Sequence, residues 1–124
     1  MPQTKNKLYT GRAERLADGS LVDVSSLAHA NRFIVPVALT SEVYGDVCDL
    51  SGEYVLSADC PESRLQRLLH YAKRAAGKHL DTSAFSFSVY MPVAEATTYR
   101  LRLTLHAGDD LEDVITISKE GEPC

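Results

Sequence analysis

Between Asp59 and Ser118 the spacing of apolar side chains changes once, from steps of three and four to steps of two. That change constrains the fold more than any other feature, because the first period is that of a helix and the second that of a strand. Leu65, Leu68, Leu69, Ala72, Ala75 and Ala76 fall on one helical stripe. Asp59 and Glu62 have capping-box spacing, Pro61 suits a first turn, and Gly77 suits a left-handed C-terminal cap. The spacing therefore predicts a helix over about residues 60–77.

Beyond it, Phe85, Phe87, Val89 and Met91 alternate with Ser86, Ser88 and Tyr90. Tyr99, Leu101, Leu103 and Leu105 alternate with Arg100, Arg102, Thr104 and His106. A third strand is expected over Asp113 to Ser118, with Ile115 and Ile117 inward, after a turn at Gly108 to Asp110. Pro92 to Thr98 is expected to be the loop between the first two. Short connections favour an antiparallel meander with the Leu-rich helix on its apolar face. The predicted class is α+β: short N-terminal elements and helices, then one long amphipathic helix on a C-terminal three-stranded β-meander.

The N-terminal half carries weaker signals. Asp18-Gly19 marks a turn, Leu21, Val22 and Val24 a short strand, and Ser25 or Ser26 the cap of a brief helix. Phe33 to Leu39 is apolar, but Pro36 lacks an amide hydrogen and argues for a buried connector over a central strand. Thr40 or Ser41 caps a short helix bearing Val43, Tyr44 and Val47, and Tyr54 to Leu56 suggests a short strand. Residues 1–10 read as a flexible arm on a single domain spanning 1–124, a length that suffices for one core.

Hydrophobic residues at 44% and charged residues at 24% belong to a globular chain. No apolar run is long enough for a membrane span, and Lys5 and Lys7 precede no signal-like segment, so a cytoplasmic protein with no membrane partner is expected. Cys48, Cys60 and Cys124 match neither a disulfide framework nor a zinc half-site, and His29, His70, His79 and His106 have no ligand at metal spacing. No metal, cofactor or catalytic motif is indicated, and the chain reads as a non-enzyme.

Net charge is −4, which opposes general affinity for nucleic acid, yet the charge is segregated. Arg64, Arg67, Lys73, Arg74 and Lys78 occur with no acid among them, whereas Asp109, Asp110, Glu112 and Asp113 cluster near the end. Two faces are thereby candidates for contact with a partner. One is the helix face carrying Arg64, Arg67, Tyr71 and Arg74; the other is the outward sheet face carrying Tyr90, Arg100, Arg102 and His106. Both patterns also describe ordinary solvated faces.

The segments Leu16-Ala17-Asp18-Gly19-Ser20-Leu21-Val22-Asp23-Val24 and Val35-Pro36-Val37-Ala38-Leu39-Thr40 resemble a bacterial family of small proteins found on plasmids and other mobile elements. The Phe87 to Tyr90 strand and the Gly-Asp-Asp turn before Val114 to Ile117 resemble it too, so the likeness runs from about Leu8 to Ser118. The chain departs from it where that family has tryptophans, near Tyr44 and Leu65. The resemblance implies fold and genomic setting and carries no activity. The resulting expectation is a protein-binding accessory protein of a mobile genetic element, such as an anti-CRISPR-like inhibitor of a host defence complex. A nucleic-acid-binding accessory protein and an enzyme with a dispersed active site are the alternatives.

Overall fold

A computed structural model describes residues 11–52, 55–56, 59–93 and 96–122. The elements are α1 (Arg12–Asp18), β1 (Leu21–Asp23), α2 (Ser25–Ala30), β2 (Val37–Thr40), α3 (Ser41–Cys48), α4 (Pro61–Ala76), β3 (Ala84–Val93), β4 (Ala96–Ala107) and β5 (Asp113–Lys119). The class is α+β. Its strands form one five-stranded mixed sheet in the order β1-β2-β5-β4-β3, in which β2 runs parallel to β5 and the other neighbours are antiparallel.

The three C-terminal strands pair consecutively, but they are part of this larger sheet and not a separate meander. The connector expected at Phe33 to Leu39 contains interior strand β2, and all four of its residues are buried. Pro36 does not prevent this because it sits one residue before the strand. Its carbonyl accepts the Ile115 amide at 2.9 Å, and its missing N–H is outside the ladder. The arm at 1–10 and Tyr54 lie outside the described residues; Val55 and Leu56 are not in a strand.

Register explains the layering. Phe87 faces Leu101, Leu103 faces Ile117, and Ile117 faces Leu39, so alternation brings these side chains to one side of the sheet. There they meet Val43 and Val47 of α3 and Leu65, Leu68, Leu69 and Ala72 of α4 in one continuous core. Leu21, Ala38, Val114 and Thr116 alternate to the opposite side and are buried as well. Over β3 and β4 that side is open: Ser88, Tyr90, Arg100 and Arg102 are exposed.

Several caps differ from expectation. Asp59 does not cap α4; the reciprocal pair is Cys60 and Ser63, with the Ser63 amide 3.4 Å from Cys60 Sγ and the Cys60 amide 3.0 Å from Ser63 Oγ. Gly77 is right-handed at φ −64°, because tight turns continue through His79. Ser25 does not cap α2. Its hydroxyl instead accepts the Val37 amide at 3.1 Å, tying α2 to β2. Gly19, by contrast, closes α1 in the left-handed region at φ +86°, which favours glycine.

Arg64 is the largest difference. The sequence places it on the polar helix face, yet it is fully buried. Its Nε donates to the Val47 carbonyl at 2.6 Å and its Nη2 to the Pro92 carbonyl at 2.8 Å, while Nη1 lies 3.8 Å from Asp59. One guanidinium thus joins the end of α3, the start of α4 and the end of β3. Removing it leaves the Val47 and Pro92 carbonyls without this donor and leaves the mostly buried Asp59 with Arg67 alone. Arg64→Ala is expected to cost about 3 kcal/mol in urea denaturation, and Arg64→Lys to recover little of it, since an ammonium lacks the planar fork.

Tyr99 closes the same end of the core, its hydroxyl donating to Asp46 at 2.6 Å. Burial first, then the bond to the Asp46 carboxylate, raises this phenol far above the ordinary tyrosine range. A raised folded-state pKa contributes stability fully present below the unfolded value of about 10 and lost as pH rises beyond it. Tyr99→Phe is expected to cost about 1–2 kcal/mol at neutral pH. Comparing urea midpoints at neutral pH and about pH 11 should show a smaller alkaline loss for the variant.

Candidate functional site

Helix α4 carries two kinds of neighbour along its flanks. On one flank, Lys73 lies 5.4 Å from the Phe33 ring centroid, facing the segment after α2. On the other, Arg64 reaches Pro92 at the end of β3, and His79, just beyond the helix, stacks on Phe85 at the beginning of β3 with centroids 4.5 Å apart. The helix therefore runs alongside β3 in the opposite sense. Arg67, Tyr71 and Arg74, at steps of four and three, form one stripe of α4, and exposed Lys78 follows in the turn just beyond the helix.

Where that stripe meets the end of β3, a groove of about 410 Å³ is lined by Leu56, Arg67, Tyr71, Tyr90, Pro92 and Thr97. It brings together three residues that periodicity assigned to two different faces: Arg67 and Tyr71 of the helix, and Tyr90 of the sheet. A register shift between Tyr90 and Val93 marks the same place in the β3–β4 ladder. Irregularities of this kind bend a strand and re-aim its side chains. Tyr90 is 69% exposed and Leu56 62%, so the groove presents apolar and aromatic surface to solvent.

Arg67 is held in place at the groove. It forms a 2.8 Å bond with Asp59, whose side chain is only 5% exposed. Asp59 therefore faces two arginines, the buried Arg64 and the half-buried Arg67. Arg74 and Lys78 are exposed and have no ion-pair partner among the described residues. Leu56, Pro92 and Thr97 were not singled out by sequence reasoning. Alternation and helical periodicity do not register loop and strand-end residues, and no other signal marked these three.

The sheet face is arranged differently. Arg100 is bonded to Glu120 at 3.1 Å and to the Ser88 hydroxyl at 2.9 Å. Glu120 is held below the usual carboxylate range by the Ser86 hydroxyl and then by Arg100 and Arg102. Its negative charge sits near two of the cations that made this face a candidate for contact with a partner. His106 is remote from the groove in the ladder, opposite Val114, and its Nε2 lies 2.8 Å from Thr116 Oγ1. The eight candidate residues thus divide: Arg67, Tyr71 and Tyr90 share a groove, Arg74 continues the stripe, Arg100 pairs with Glu120 while Arg102 acts on it by charge alone, His106 is separate, and Arg64 is internal.

Among the described residues no group of three or more His, Cys, Asp or Glu is placed to hold a metal ion, and no helix is long and apolar enough to cross a membrane. Comparison with protein-family models, curated proteins and solved structures yields no match. The Cys60 thiol at the α4 N-terminus is lowered below the ordinary cysteine range by hydrogen bonds from Ser63, the backbone amide contributing most. In a Cys48→Ser, Cys124→Ser background, the pH profile of iodoacetamide alkylation should have its midpoint below the ~8.5 of free cysteine. Ser63→Ala should move that midpoint upward.

Proposed function

We propose that this chain is a non-enzymatic protein-binding accessory protein of a mobile genetic element, for which an anti-CRISPR-like inhibitor of a host defence complex is one form. The observation that carries the protein-binding part is the convergence of Tyr71, Tyr90 and Arg67 around one open groove. Tyrosine and arginine dominate the energetics of protein interfaces because each combines a large apolar surface with a directed polar end. The genomic setting rests on the resemblance of the Leu16 to Val24 and Val35 to Thr40 segments to proteins of mobile elements.

Nucleic-acid binding is the second reading. Arg74 and Lys78 favour it, since neither has a carboxylate partner among the described residues. Glu120 among Arg100 and Arg102 weighs against it on the sheet face, where single-stranded nucleic acid would otherwise stack and pair with cations.

An affinity pull-down from the native host at stringent salt tests the first reading, followed by affinity measurement on the captured partner. A defined partner whose affinity falls at least about tenfold with Tyr90→Ala is the expected outcome, a size typical of an interface anchor. Recovery of background proteins alone would count against it. Fluorescence anisotropy with single- and double-stranded oligonucleotides should show no binding at physiological salt; steeply salt-dependent binding would favour the second reading.

A further inference from the structure

Strand β3 is an edge strand: β4 pairs with one side of it, and no described element pairs with the other. The Leu105 amide donates to the Ser83 carbonyl at 2.7 Å, which makes that pair a hydrogen-bonded one. Antiparallel pairs alternate, so the opposed pairs Phe85–Leu103, Phe87–Leu101 and Val89–Tyr99 are hydrogen-bonded too. The amides and carbonyls of Ala84, Ser86, Ser88 and Tyr90 consequently point away from β4. Ala84 is closed by Thr82, whose hydroxyl donates to the Ala84 carbonyl at 2.9 Å. Pro92 at the other end has no amide hydrogen, and its carbonyl is taken by Arg64. Between these two stops the edge at Ser86, Ser88 and Tyr90 offers the backbone groups that an added strand needs.

Beside this open edge run the α4 stripe and the turn after it, where Arg74 and Lys78 are exposed without carboxylate partners among the described residues. At its far end lies the groove between Tyr71 and Tyr90. The edge carries no charged side chain of its own from Ala84 to Val93. Exposed edges are usually defended by lysine or inward charge, and a strand lacking both while flanked by cations admits acidic chains and repels basic ones.

We infer that β3 takes up an extended acidic segment of the partner protein as a sixth strand of the sheet, its carboxylates facing Arg74 and Lys78 and an apolar side chain entering the groove. This rests on the protein-binding reading and specifies its mode. Backbone pairing at Ser86, Ser88 and Tyr90 supplies the general attraction, and the cationic stripe with the groove supplies selectivity.

The probe is a labelled synthetic peptide of about ten residues, the length of an ordinary strand, in which glutamate alternates with valine. Its control replaces each glutamate with lysine. The glutamate peptide should bind saturably and less tightly as salt rises, the lysine peptide should not bind, and hydrogen exchange at the Ser86, Ser88 and Tyr90 amides should slow. Ser88→Pro removes an outward N–H at a position where an edge tolerates proline and should abolish binding. Arg74→Glu with Lys78→Glu, both at exposed positions, should weaken it at least about tenfold. Failure of the glutamate peptide to bind, equal binding of the lysine peptide, or an unchanged response in folded Ser88→Pro overturns the inference. An oligothymidylate whose binding is lost in the charge-reversed variant but kept in Ser88→Pro also overturns it, by assigning the stripe to nucleic acid. A host partner captured equally by wild type and both variants would remove this mode and leave the protein-binding reading standing. Peptide binding without any host partner would do the reverse.

Discussion

A single buried cation organises the end of the molecule where the candidate site lies. Arg64 is fully shielded from water and offers its hydrogens to carbonyls at the end of α3 and the end of β3, with Asp59 as its counter-ion. Burying a guanidinium is costly unless its donors are satisfied; Nε and Nη2 reach carbonyls and Nη1 has only the Asp59 charge at 3.8 Å, so what solvates this charge also holds the three segments together. Asp59 extends the arrangement outward, because the carboxylate that balances Arg64 also fixes Arg67 at the groove. Two lining residues, Arg67 and Pro92, are thus tied to this buried pair.

The two faces with candidate function carry similar residue types and reach opposite electrostatic states. On the sheet, Glu120 lies among Arg100 and Arg102, and the Ser86 and Ser88 hydroxyls complete a local network. Arg100 is thereby occupied, while Arg102 acts on Glu120 through its charge alone. On the helix, Asp59 is the only described carboxylate paired with the stripe, and it pairs at the Arg67 end, leaving Arg74 and Lys78 uncompensated. A chain of net charge −4 therefore keeps a positive strip beside an open strand edge.

Placement of β2 creates the sheet in which this edge exists. Parallel pairing with β5 buries Val37 and Leu39 on one side and Ala38 and Thr40 on the other, and β1 then closes that margin. The other margin is left to β3, the second-longest strand. Thr82 and Arg64 satisfy its two ends, while its middle has no comparable local partner. The fold is asymmetric in this sense: one edge is a three-residue strand, and the other presents a length of backbone suited to pairing.

Much of the architecture was legible in local pattern. The stripe from Leu65 to Ala76 and the alternations from Phe85 and Tyr99 onward report burial on one face, which depends on period alone. Helix α4 and strands β3, β4 and β5 consequently fall close to where spacing places them. Other features depended on tertiary contact. Pro36 looked like a barrier to a strand, but whether a missing N–H matters depends on which neighbour lies opposite it, and here none needed it. Arg64 sits among arginines that share a helical face, and only the approach of Val47, Pro92 and Asp59 from distant parts of the chain turns it inward. Tyr71 and Tyr90 are nineteen residues apart on elements of different period, so no one-dimensional pattern joins them. The sequence by itself determined which residues seek a core, because that preference is carried by each side chain. Which cations stay free, which tyrosines meet and which strand edge remains open were decided by packing, because each depends on what the rest of the chain brings within a few ångströms.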